Sequence, residues 1–176
     1  MSKNRTIDPE VIDLDELPGH YVRRMQQIAV AIFLEEAEPL GVTPVQFGAM
    51  QTVANQPGID QRTLARSIGL DTSTIASVID RLEARGLLVR SISAEDRRLR
   101  CLSLSREGAS LLAAVVPAMR RAQERMLEPL TKVERKSFMS MLKRVVEANN
   151  ELSRAPREAE AKQQVVTAKP ALPSTR

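Results

Sequence analysis

Ile59–Gly108 reads IDQRTLARSIGLDTSTIASVIDRLEARGLLVRSISAEDRRLRCLSLSREG, and its spacing decides the fold. Asp60 suits a helix N-cap, and Leu64, Ala65 and Ile68 then form one apolar stripe. Ala65 is small where a second helix must cross closely. Gly69 suits the left-handed residue that closes a helix, because it has no Cβ to clash. Leu70 plugs the turn, and Asp71 or Thr72 caps the next helix. There Ile75, Val78, Ile79 and Leu82 recur at i, i+3, i+4 and i+7, so one face is core. The other face carries Thr72, Ser73, Thr74, Ser77 and Arg81. Short hydroxyls let the first turn of a helix approach base edges and phosphates in a major groove. An ordinary capped helical hairpin at a surface fits the same spacing, and the helices alone leave both readings open.

The next segment separates them. Gly86 ends the helix, Leu87–Ile92 predicts a strand, and a polar turn through Ser93, Glu95 and Arg97 leads to a second strand from about Arg98 to Leu104. On that strand Leu102 and Leu104 point one way, Cys101 and Ser103 the other. Arg90, Arg97, Arg98 and Arg100 crowd the hairpin, with Asp96 among them. A guanidinium is a planar fork that suits narrow grooves and phosphates better than an ammonium does. Asp96 can hold one guanidinium in a fixed pose, or it forms a surface ion pair of little energetic weight. Directly after a helix-turn-helix, this pattern predicts a winged head that reads double-stranded DNA.

These residues resemble the MarR (multiple antibiotic resistance regulator) type transcription factors over roughly Leu17–Asn149. The most specific piece is Asp-x-Arg followed by apolar-x-Leu-Thr-x-x-Gly, matched by Asp96, Arg98, Leu102, Leu104 and Gly108 with Ser105 in place of threonine. Serine also caps helices, so the pattern keeps its meaning. Leu40-Gly41-Val42-Thr43-Pro44 with Gln46-Phe47, and Asp80-Arg81-Leu82-Glu83 with Arg85-Gly86-Leu87, are similar to the family as well. The resemblance implies that Arg98 enters the minor groove, that Asp96 orients it, and that Thr72, Ser73, Thr74 and Ser77 face the major groove. It also implies a dimer built from the first and the last two helices.

The flanking sequence supplies such helices. A first helix is expected from about Pro18 to Ala37, with Tyr21, Met25, Ile28 and Ile32 in one stripe widened by Val22, Ala29 and Phe33. Thr43-Pro44-Val45-Gln46 is a capping box that opens a second, carrying Phe47, Met50 and Val53 and stopping near Pro57-Gly58. Ser105 opens a long helix through Leu112, Val115, Met119, Met126 and Leu130, which Pro117 should bend or interrupt. Thr131-Lys132-Val133-Glu134 caps a last helix through Phe138, Leu142, Val145 and Val146. The expected class is mainly α with a small β-hairpin wing: a winged helix-turn-helix head at about 43–104 and a helical dimerisation bundle at about 17–38 and 105–152. The terminal stripes are too wide to cover only a small head. A homodimer would bury them and set two recognition helices ~34–36 Å apart for a palindrome; an intramolecular bundle is the alternative.

Composition narrows the function. The chain has 176 residues and a formal net charge of +4, which suits a polyanionic partner. Residues 1–16 form an acidic arm, with Asp8, Glu10, Asp13, Asp15 and Glu16 against Lys3 and Arg5. From Ser153 the sequence loses periodicity, and 153–176 is expected to be a disordered tail. No secretion signal or long apolar run is present, so a cytoplasmic protein without a membrane partner is expected. One cysteine excludes an intrachain disulfide; Cys101 reads as a small strand filler, with oxidant sensing as the alternative. No glycine-rich phosphate loop, metal-ligand cluster or nucleophile–histidine arrangement points to an enzyme, and no cofactor is expected. A winged-helix protein-interaction module is the remaining rival class.

The signal to which such a regulator responds is less legible. His20 is the one histidine, and Arg24 follows one helical turn later beside Tyr21. In the resembling family, phenolic or aromatic acids bind where the first and second helices meet. That implies a carboxylate held by His20 and Arg24 with Tyr21, Phe47 and Met50 as walls. The alternative pairs His20 and Arg24 with the acidic arm or a partner subunit. The start Leu17-Pro18-Gly19-His20 with Arg23-Arg24 is similar to regulators of aromatic and N-heteroaromatic acid catabolism. A repressor released by a nicotinate-type or hydroxybenzoate-type acid is the expectation; an activator of the same fold is the alternative.

Overall fold

A computed structural model of the chain describes residues 13–92 and 100–153. The wing tip, with Asp96, Arg97 and Arg98, lies outside these residues, as do most of the acidic arm and of the C-terminal tail. Helix α1 spans Pro18–Ala37, opened by Pro18 at its first position. Helix α2 spans Pro44–Asn55 behind the expected capping box: Gln46 N donates to Thr43 Oγ1 at 3.3 Å and Thr43 N to Gln46 Oε1 at 3.0 Å. Helices α3 (Gln61–Ile68) and α4 (Thr72–Ala84) follow, and Gly69 closes α3 at φ 70°. Strands β2 (Leu88–Ile92) and β3 (Arg100–Leu104) pair antiparallel, with Arg90 opposite Leu102 and Ile92 opposite Arg100.

A two-residue strand β1, Ile59–Asp60, joins the other edge of β3 and gives the sheet order β1-β3-β2. Sequence reading missed it because two residues cannot display an alternation, and its partner lies some forty positions onward. Its register sets Ile59 against Leu102 and Asp60 against Cys101. The sheet therefore clamps the entrance of α3 to the hairpin, and the head closes as one unit.

Helix α5 runs Arg106–Met126 and α6 runs Lys132–Ala148. Pro117 does not interrupt α5; the ring is exposed, and the turns on either side keep the helix continuous. Leu130 was expected inside that helix but falls beyond it. The last turn tightens as Glu128 N bonds to Arg125 O only three residues back, and Pro129 prevents continuation.

Two apolar clusters hold these elements. The head core contains Met50, Val53, Leu64, Ile75, Ile79, Leu82, Leu88 and Leu102. The second cluster joins Phe33, Ala37 and Val42 to Val115, Ala118 and Ala122, so α1 rests on α5 near its C-terminal end. Phe47 touches both clusters, and its ring centre lies 6.0 Å from that of Phe33. Beside them Glu36 bridges Arg121 and Arg125 at 2.7 Å each, and those hydrogen bonds hold its carboxyl below the usual carboxylate range.

Gly108 fixes how α5 leaves the head. A Cβ built there would stand 2.0 Å from the carbonyl oxygen of Leu87, a main-chain atom with no room to retreat. Ser105 completes the joint: its hydroxyl donates to Gly86 O at 2.6 Å and accepts from Gly108 N at 2.9 Å. The Leu-Ser-x-x-Gly ending read from the sequence is thus a steric and hydrogen-bonding requirement of this junction.

Candidate nucleic-acid interface

The interface begins with two aspartates that cap its helices. Asp60 Oδ1 accepts from Arg62 N at 2.9 Å and Thr63 N at 3.0 Å, while its other oxygen takes the Thr63 hydroxyl. Partial burial raises the Asp60 pKa, but the Thr63 and backbone hydrogen bonds outweigh it and the net shift is downward. Asp71 caps α4. It accepts from Ser73 Oγ at 2.5 Å, Thr74 N at 2.8 Å and Thr74 Oγ1 at 2.7 Å. These bonds, led by that from Ser73, hold the Asp71 carboxyl well below its ordinary range. Gln61 Nε2 reaches Thr72 O at 3.4 Å and links the two helix starts.

Thr72, Ser73, Thr74, Ser77 and Arg81 are all exposed on α4, opposite the buried Ile75, Val78, Ile79 and Leu82. The Ser73 and Thr74 hydroxyls are oriented by Asp71, and Ser77 Oγ donates to Ser73 O at 3.4 Å. Their protons point into the cap while oxygen lone pairs stay outward, so the turn presents a preset surface. Thr74, Ser77 and Arg81 share one wall of an open groove of about 410 Å³, and Thr43 and Val45 at the start of α2 form the other. The structure therefore brings the helix-borne part of the expected site together.

The hairpin divides the expected arginines. Arg100 is exposed at the start of β3. Arg90, grouped from the sequence with the groove-reading arginines, is half-buried. Its guanidinium donates to Asp80 and to Glu83, both on α4. An arginine on the flank of a strand that faces a helix finds carboxylates one turn apart before it finds solvent. Arg85 was also missed in its role: Nη1 donates to Gly41 O at 2.8 Å, tying the end of α4 to the turn before α2. Its place beside Gly86 was the only available signal.

The effector residues are not assembled within one chain. Met50 is fully buried in the head core. Its spacing from Phe47 and Val53 puts it on the inward face of α2. Phe47 contacts Phe33, which lies thirteen residues after His20, roughly 20 Å along α1 at the helical rise. His20, Tyr21 and Arg24 occupy the other end of that helix. There His20 is half-buried, with its ring centre 5.8 Å from that of Tyr21, and Tyr21 and Arg24 are exposed. Cys101 is a free, half-buried thiol in mid-strand between β1 and β2. Among the described residues no helix is long and apolar enough to cross a membrane.

Known proteins share this architecture. The MarR family model matches residues 42–99, the head. A putative transcriptional regulatory protein for the hcr operon of Thauera aromatica is 35% identical over 137 residues, 76% of this chain and 81% of that protein. The transcriptional repressor CouR, solved on a 23-mer DNA duplex, is 31% identical with a TM-score of 0.73, over 79% of this chain and 99% of CouR. BpsR of Bordetella bronchiseptica, whose DNA binding is regulated by 6-hydroxynicotinic acid, is 27% identical with a TM-score of 0.73, over 77% of this chain and 96% of BpsR. With its capped helix-turn-helix, its three-stranded sheet and these relatives, the chain belongs to the MarR family and is a DNA-binding transcriptional regulator, not an enzyme.

Proposed function

We propose that the protein is a homodimeric repressor that occupies an inverted-repeat operator and leaves it when a small aromatic acid binds. The observation that carries the dimer is an apolar surface that stands exposed among the described residues. Helix α6 buries none of its residues, and Val133, Met141, Val145 and Val146 are 56–74% exposed. Tyr21, Val22 and Ile28 stand equally open on α1. A second copy covering both faces removes this apolar area from water and fixes the spacing of two heads.

Thr72, Ser73, Thr74, Ser77 and Arg81 read the major groove in this proposal. Arg97, Arg98 and Arg100, with Asp96 as orienter, serve the minor groove or its phosphates. The effector reading keeps His20 and Arg24 as partners for a carboxylate beside Tyr21, with apolar walls completed across the dimer, because Tyr21 and Arg24 stand exposed among the described residues. Phe47 remains a wall only if the partner subunit brings its own α1 there. Support for a nicotinate-type acid comes from BpsR, the hydroxybenzoate-type alternative rests on the family resemblance of the sequence, and support for repression comes from CouR. A ligand favouring a dimer with misplaced heads weakens DNA binding by a coupling of ~1–3 kcal/mol, or about 5–150-fold.

The test is to select an operator from random DNA, then titrate 6-hydroxynicotinate and 4-hydroxybenzoate into the complex while following fluorescence anisotropy. Release by one acid, with a two-dimer-arm palindrome as the selected site, is the expected result. A selected site without inverted symmetry, bound by a monomer in sedimentation, overturns the homodimer. Ligand affinity unchanged in a His20→Ala/Arg24→Ala variant removes those residues from the effector site.

A further inference from the structure

Arg90 joins the two DNA-reading parts of the head. It sits in the middle of β2, opposite Leu102 of β3. Two different guanidinium nitrogens engage two different carboxylates, Nη2 with Asp80 and Nη1 with Glu83. Asp80 and Glu83 are three residues apart on α4, so they flank one side of the helix one turn apart. The pair of bonds fixes the guanidinium plane as well as its position, which a single contact cannot do. The arginine side chain is only 21% exposed, against 64% for that of Asp80. The Asp80 hydrogen bond above all raises its already high pKa, so Arg90 keeps its charge.

The charge balance makes this arrangement informative. Asp80 and Glu83 are acids on the helix that faces a polyanion, where simple Coulomb repulsion opposes binding. Their presence there calls for a compensating use. We propose that Arg90 is a positioning residue for DNA recognition, a clamp through Asp80 and Glu83 that sets the angle between the recognition helix and the β2–β3 hairpin. Because α4 and the hairpin address different grooves, a wrong angle lets only one of them reach its target. The clamp rests on the DNA-reading assignment of α4 and the hairpin. It assigns Arg90 a role exercised through the protein, not through contact with phosphate.

Electrostatics and geometry predict opposite signs for one variant. In Asp80→Asn/Glu83→Gln, removal of two negative charges tightens binding if only charge matters, and it also frees Arg90 for the phosphates. The clamp predicts weaker operator binding, by roughly tenfold or more at fixed salt, as one of two groove contacts is misaligned. Hydroxyl-radical footprints should lose protection at the hairpin flank and keep it at the major-groove centre. Arg90→Gln should do the same, and combining all three substitutions should add little, since each breaks the same clamp. Arg90→Lys keeps the charge but not the fork, and an intermediate loss is expected. Dimer content and melting temperature close to wild type show that the fold is kept. An Asp80→Asn/Glu83→Gln protein, or an Arg90→Lys protein, that binds the operator as tightly as wild type with an unchanged footprint overturns the clamp alone. A wild type unable to discriminate its selected operator from random DNA overturns the DNA-reading assignment and the clamp with it.

Discussion

The head and the terminal helices both carry apolar stripes, yet those of the head are buried and many of those on α1 and α6 are exposed. In the head, α2, α3, α4 and the sheet bury Met50, Leu64, Ile75, Ile79, Leu82 and Leu102 against one another. At the ends, α6 and the first half of α1 carry stripes that stand exposed among the described residues. In the proposed homodimer, each head is closed within its own subunit, whereas the spacing of the two heads is left to the exposed terminal helices. A signal acting between subunits would then move whole heads without dismantling either.

That contrast is broken most severely at the joint between its two halves. Gly108→Ala forces a methyl group against Leu87 O, where a 2.0 Å approach leaves backbone movement as the only relief. The expected cost is at least ~3 kcal/mol of unfolding free energy, at the upper end of overpacking effects. Urea unfolding measures it, and a variant within about 1 kcal/mol of wild type would show that α5 is not locked to the head.

The next largest effect sharpens the contrast instead. Val145→Asp/Val146→Asp places charges on the open face of α6, away from the head core. Dimers should dissociate while the head keeps its fold, and operator affinity should fall by about 100-fold with the loss of bivalent binding. Sedimentation and circular dichroism separate the two properties. Loss of secondary structure together with the dimer would mean that the head is not self-sufficient. Within the head, Arg98→Ala should weaken operator binding by roughly tenfold and flatten its salt dependence. Unchanged affinity at fixed salt removes the wing arginine from the interface.

Sequence revealed most of the head because its signals are local. Caps at Asp60, Asp71 and Ser105, the left-handed Gly69, and the i, i+3, i+4 spacing of α4 are each decided within a few residues. The elements and contacts that escaped are nonlocal. Strand β1 depends on β3, and Arg90 meets Asp80 and Glu83 only after the chain turns back. Met50 and Phe47 show the same limit from the other side: a helix stripe gives an inward face but not which cavity or core it enters. The proposed effector site is the least legible part, since His20 starts α1 while Phe47, on α2, packs against the other end of α1, and no sequence spacing encodes a partner subunit.

The smallest predicted effect concerns acid, and it compares a contact inside the head with one in the bundle. Asp71 and Glu36 both have lowered pKa values, the first through hydrogen bonds from Ser73 and Thr74, the second through Arg121 and Arg125. A carboxylate lowered by folding contributes its full stabilisation above its unfolded pKa, ~3.9 for Asp and ~4.3 for Glu. It loses that contribution as pH falls through the lower folded value. Stability should therefore be level from pH 7 to about 5 with respect to these groups and decline below about pH 4. Asp71→Asn retains a good cap without a titrating group, so its acid limb should be shallower than that of wild type while the helix start survives. Glu36→Gln should likewise be shallower but should lose its pairing at neutral pH, because no neutral cap geometry replaces the two arginine bonds. Thermal melts between pH 3 and 7 distinguish the sites. Equal steepness in all three proteins would place the acid sensitivity elsewhere, and a Glu36→Gln protein unchanged at pH 7 would show that the α1–α5 contact rests on its apolar cluster alone.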